Sequence, residues 1–90
     1  MKIRSEDGFN YILYKGQKII LWDDKYIFIN FNGLYPEDLR RKMLDVTKET
    51  DLGIEMCCKR HLYHIKYCGG YYLFNMSNQI LLKRQEVRYA

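Results

Sequence analysis

The sequence predicts an α+β fold: one antiparallel, β-rich domain of two meanders, six to eight short strands in all, joined by a single central α-helix. Three observations carry this. Alanine and proline each occur once, against nine tyrosines and nine isoleucines, and aromatic and β-branched residues suit pleated, half-buried surfaces. Short apolar runs alternate with glycine-containing or polar turns. The stretch after Pro36 is the one strong helical pattern. Ninety residues fit one domain, 1–90, and leave no room for two cores. Its parts are a first meander over 1–34, a helix over 35–52 and a second meander over 54–87.

In the first meander, Phe9–Tyr14 reads as a strand and Lys15-Gly16 as a tight turn, with glycine where positive φ is needed. Lys18–Trp22 is a second strand, Asp23-Asp24-Lys25 a polar turn, and Tyr26–Phe31 a third strand. These strands do not alternate cleanly. Ile19 and Leu21 oppose Ile20 and Trp22, while Tyr26 and Phe28 oppose Ile27, Ile29 and Phe31. Both faces of such a sheet need cover. A helix can take one face, and the other must meet a second sheet or a partner chain.

Pro36 suits the first helical position, and Glu37 and Asp38 suit the first turn, where the helix dipole favours acids. Leu39, Met43 and Val46 recur at helical spacing, with Leu44 beside them. The end is expected near Thr50, with Gly53 as a cap. Arg40, Arg41 and Lys42 invite a nucleic-acid reading. The i,i+4 pairs Glu37–Arg41, Asp38–Lys42 and Arg41–Asp45 instead make the run a solvated face.

Residues 54–68 are ambiguous. Ile54, Cys58, Leu62 and Ile65 form a helical stripe that Gly69-Gly70 could cap, yet two strands joined by Lys59-Arg60-His61 fit as well. An internal offset of 53 positions favours strands. It lays Ile12 on Ile65, Tyr14 on Tyr67 and Gly16 on Gly69, and Ile3 on Met56. It also lays Ile19–Leu21 on Tyr72–Phe74, the Asp23 turn on Met76-Ser77-Asn78, and Ile27–Ile29 on Ile80–Leu82. Identities are few, and two ordinary meanders of like length are the alternative.

Cys57, Cys58, His61, His64 and Cys68 hold zinc-ligand chemistry without zinc-ligand spacing. On a helix, Cys57 and Cys68 would lie about 16 Å apart along the axis, and no CxxC knuckle is present. Buried cysteines and strand-surface histidines are therefore expected, with no metal and no cofactor. A Cys–His nucleophile lacks an orienting third group, and no GxSxG, phosphate loop or HExxH occurs. Asp23-Asp24 reads as a turn rather than a metal site. No enzyme is expected.

Three cysteines without an apolar leader in MKIRSEDGF fit reduced thiols in a cytoplasmic setting. No apolar run approaches the roughly 18–20 residues of a membrane span. Abundant Lys, Ile, Tyr and Asn with almost no Ala or Pro fit an AT-rich coding genome, as in many bacteria and their phages.

Two binding functions follow. The first is a small intracellular protein that docks on a macromolecular partner, most readily a protein or a second copy. An inhibitor or adaptor of the phage or mobile-element type would act this way. Its expected anchors are Trp22, Tyr26 and Phe28, with Tyr63, Tyr67 and Tyr71 as a second set. The second is sequence-tolerant nucleic-acid binding through Lys59, Arg60, Lys66, Lys83 and Arg84. Residues 56–90 carry six basic residues and one acid, whereas 1–55 carry nine and ten. No RNP1 pattern, zinc finger or recognition helix accompanies that charge.

Overall fold

A computed structural model describes residues 1–73 and 79–84. The chain runs β1 (Arg4–Glu6), β2 (Phe9–Tyr14), β3 (Gln17–Trp22), β4 (Tyr26–Asn30), α1 (Pro36–Glu49), β5 (Ile54–Lys59), β6 (Leu62–Tyr67), β7 (Gly70–Leu73) and β8 (Gln79–Lys83). Among these described residues, one helix and eight strands in antiparallel ladders give the α+β, β-rich fold of two meanders about a central helix. A five-stranded sheet has the order β1-β2-β3-β4-β8, and a three-stranded sheet the order β5-β6-β7. The second meander is thus divided: β8 leaves its own hairpins and pairs with β4.

Segment 54–68 is a hairpin, not a helix. Its turn, Arg60-His61, has positive φ at both central residues (52° and 64°) without a glycine, which is why turn chemistry alone left a helix open there and the 53-residue offset had to favour strands. β1 was not expected, because it is polar and exposed throughout. Its signal is Asp7-Gly8, an Asp-Gly pair of the kind that makes type I′ hairpin turns. The helix ends at Glu49, where Thr50 closes it in extended conformation by donating its amide to the Val46 carbonyl. Gly53, expected as the cap, lies beyond it at φ 74°. The Thr47 hydroxyl, 2.9 Å from both the Met43 and Ile54 carbonyls, joins α1 to β5.

The 53-residue offset is a structural repeat. It carries β2 onto β6 and β4 onto β8 end for end, and it carries the start of β3 onto that of β7. The turns Asp7-Gly8 and Lys15-Gly16 fall on Arg60-His61 and Cys68-Gly69, and all eight residues have positive φ. The β1–β2 pairs Arg4↔Tyr11 and Glu6↔Phe9 become Cys57↔His64 and Lys59↔Leu62. The copies part at Ile19-Ile20, where the β2–β3 register shifts after Ile12 and both isoleucines are buried. The β6–β7 ladder has no such shift. The offset's matches to Phe74 and to 76–78 lie outside the described residues, as does the end of the meander expected to reach 87.

The two sheets and the helix share one core. It contains Ile12, Ile20, Trp22, Ile27, Ile29, Ile80 and Leu82 from the larger sheet, Ile54, Ile65 and Tyr67 from the smaller, and Leu39, Met43 and Val46 from α1. Each large side chain enclosed there contributes about 1.5–3 kcal/mol of transfer free energy. Every buried strand residue of the larger sheet's regular ladders lies on this one face, which fixes the opposite face as the outer one.

Candidate functional site

The outer face of the five-stranded sheet is the candidate interaction surface. The strand register joins Arg4, Tyr11, Leu21, Phe28 and Leu81 into one row across all five strands. A second row runs Glu6–Phe9 on one side and Tyr26–Lys83 on the other, with Asp23 between them. Tyr11, Leu21 and Phe28 are half-buried only by their neighbours, Tyr26 is 45% exposed and Leu81 64% exposed. No helix or strand among the described residues covers them. A shallow apolar depression of about 210 Å³ lies here, lined by Phe9, Leu21, Trp22, Asp23, Tyr26 and Phe28.

The polar groups sit at the rim of this face. Lys18 reaches across β2, its ammonium 4.6 Å from the Tyr11 ring centroid, 5.6 Å from that of Phe9 and 3.1 Å from a Glu6 carboxylate oxygen. The Asp23 carboxylate accepts the Lys25 and Tyr26 amides, each at 2.8 Å. Those bonds favour the ionised form and hold this carboxyl below the usual carboxylate range. The Arg84 amide donates to the Lys25 carbonyl at 2.7 Å, and its guanidinium donates to the Asp23 carbonyl at 2.8 Å. The β3–β4 turn is thus fixed from within and clasped by β8.

The expected anchors divide. Tyr26 and Phe28 belong to the outer face. Trp22 does not: only 8% exposed, it pairs with Ile27 and points into the core. A register shift of one residue decides this, because Leu21 and Trp22 are both apolar enough for either side. In the second set Tyr67 is 5% exposed and also belongs to the core. Tyr63 is half-buried and Tyr71 is 47% exposed, and they stand on opposite faces of the smaller sheet. Tyr11, Leu21 and Leu81 join the outer face of the larger sheet without having been expected there, because cross-strand register with Phe28, not spacing along the chain, places them.

The basic residues divide as well. Lys59 and Lys66 flank Tyr71 on the outer face of the smaller sheet, 3.9 and 5.9 Å from its ring centroid, with Arg60 on the adjoining turn. Lys83 lies on the larger sheet, and Arg84 is committed to the Asp23 turn. The expected helix pairs are replaced at Asp38, which meets Lys15 at 3.7 Å.

Cys57 stands opposite His64, its thiol 3.7 Å from that residue's carbonyl, and Cys57, Cys58 and Cys68 are free thiols. Among the described residues, no three His, Cys, Asp or Glu side chains converge to hold a metal ion, and no helix is long and apolar enough to cross a membrane. No family model, curated protein or solved structure matches this chain.

Proposed function

We propose that this is a non-enzymatic binding protein whose five-stranded sheet buries its outer face against another protein. The observation that supports this reading is the row Tyr11–Leu21–Phe28–Leu81, an apolar strip four strands wide with Arg4 at its β1 end. A polar rim around an apolar centre is the anatomy of a protein interface, and aromatic residues with little rotamer freedom are its strongest anchors. The action is steric: the bound surface is occluded or bridged, as in an inhibitor or adaptor, and needs no chemistry from the chain.

The test is capture by the tagged protein from a nuclease-treated lysate of cells that also express the untagged chain. The wild type retains a protein in stoichiometric amount, and Leu81→Arg loses it. Retention that disappears with nuclease, or that Leu81→Arg leaves unchanged, overturns the reading.

A second reading draws on a different surface. Lys59 and Lys66 about Tyr71, with Arg60 beside them, form a compact basic-aromatic group suited to the backbone and bases of a single strand. Phosphate-driven binding would fall steeply between about 50 and 200 mM salt, and no retention of nucleic acid at low salt removes it.

A further inference from the structure

Resting on the reading of the outer face as a protein interface, we infer that its occupant is a second copy of this chain, packed face to face about a twofold axis parallel to β3. The two rows match about that strand except at the ends of the first, where Arg4 on β1 answers Leu81 on β8. In one, Tyr11 on β2 and Phe28 on β4 flank Leu21. In the other, Phe9 on β2 and Tyr26 on β4 flank Asp23, with Glu6 at the β1 end and Lys83 at the β8 end.

Rotation about an axis along β3 exchanges β2 with the copy's β4, and β1 with its β8. Tyr11 then lies over Phe28 of the copy, Phe9 over its Tyr26, and Leu21 over its own counterpart. Glu6 meets Lys83 of the copy at one end, and the same pair recurs at the other. An isologous contact requires this kind of self-complementarity, since each patch is its own partner. Two groups on the axis would repel their own copies if they projected straight out. Asp23 turns its carboxylate onto its own turn amides, and Lys18 is drawn towards β1 by Glu6.

The dimensions suit the contact. Four strands of five or six residues and the three-residue β1, about 4.8 Å apart, present a face roughly 24 Å wide and up to about 17 Å long, somewhat under about 400 Å² in projection. Side-chain relief brings the accessible area towards the roughly 600 Å² per partner at the lower end of specific interfaces. Twisted sheets stack in this way about 10 Å apart, with strands within about 30° of alignment. An association in the micromolar range is expected.

Sedimentation equilibrium of the full chain over about 1–500 μM, with the fold of each variant checked by thermal melting, tests this. The wild type dimerises. Leu81→Arg, which the axis sets against Arg4 of the copy, weakens the dimer roughly tenfold or more, and Lys83→Glu does the same by setting a second acid against Glu6. Glu6→Lys alone also weakens it, and the double exchange Glu6→Lys with Lys83→Glu restores part of the loss, the tether of Lys18 to Glu6 staying broken.

A dimer indifferent to these changes, or a double exchange no better than its parts, overturns the arrangement. A monomer throughout, whose tagged wild type but not Leu81→Arg retains a different protein, overturns self-pairing and leaves the outer-face reading standing. A monomer with no Leu81-dependent retention overturns both.

Discussion

Phe28 stands opposite Leu81 in the β4–β8 ladder, and each is the other's counterpart under the 53-residue repeat. The seam is therefore centred on a local twofold relation: Tyr26 meets Lys83 at one end, and Asn30 meets Gln79 at the other. The two copies join through their fourth strands. In this way β8 completes the first meander's sheet.

The seam makes β8 two-sided in a measurable way. Leu82 is 3% exposed and Leu81 64% exposed, though the two are adjacent and identical in type. Leu82→Ala removes core volume and costs about 2–5 kcal/mol. Leu81→Ala stays within about 1 kcal/mol, the span of strand propensity. Urea denaturation of the two variants gives the comparison, and equal losses would reverse the assignment of the faces.

Much of this was legible in the sequence. The strands from Phe9 onward, the helix after Pro36 and the offset of 53 all followed from period and turn chemistry. The choice of face was not legible where apolar residues adjoin. Ile19-Ile20-Leu21-Trp22 reads as apolar on both sides, and the register shift after Ile12 buries both isoleucines, so alternation counted from Ile19 gives the wrong answer at Trp22. Tyr67 carries the same lesson, because a tyrosine's spacing does not tell whether its ring is core or contact.

That distinction predicts opposite behaviour within the expected anchors. Trp22→Ala opens the core and costs about 3–5 kcal/mol, as large aromatic deletions do. Tyr71→Ala removes an exposed ring and stays within about 0.5 kcal/mol of the wild type, apart from the small cation–π contribution of Lys59. Chemical denaturation measures both. A severe loss at Tyr71 would mean that its ring is structural, and would remove it from any binding surface.

The Asp23 turn predicts a pH dependence with a definite sign. The Lys25 and Tyr26 amides stabilise the carboxylate and lower its pKa. A group whose folded-state pKa is depressed adds stability above its unfolded value, and that contribution fades as pH falls through the folded value. Asp23→Ala should therefore melt below the wild type at neutral pH, and the gap should narrow on acidification below the ordinary carboxylate range. A gap that is constant with pH would place the loss in packing instead.

The four positive-φ hairpin turns supply a prediction that leaves every core contact in place. Three of them carry glycine at the second central position, Gly8, Gly16 and Gly69, whereas the fourth carries His61 at φ 64°. A side chain in left-handed backbone costs roughly 1–2 kcal/mol. His61→Gly recovers that cost, less the roughly 0.4–1 kcal/mol that glycine's freedom lends the unfolded chain, for a net gain of several tenths to about 1 kcal/mol. The reciprocal change at the repeat-equivalent turn, Gly8→Ala, meets no atom within 4 Å of the added carbon, so its loss is conformational alone and of similar size. Thermal melts of the pair should shift in opposite directions. If His61→Gly is also destabilising, the imidazole holds the β5–β6 turn through contacts of its own, and the equivalence of the two hairpins ends at the backbone.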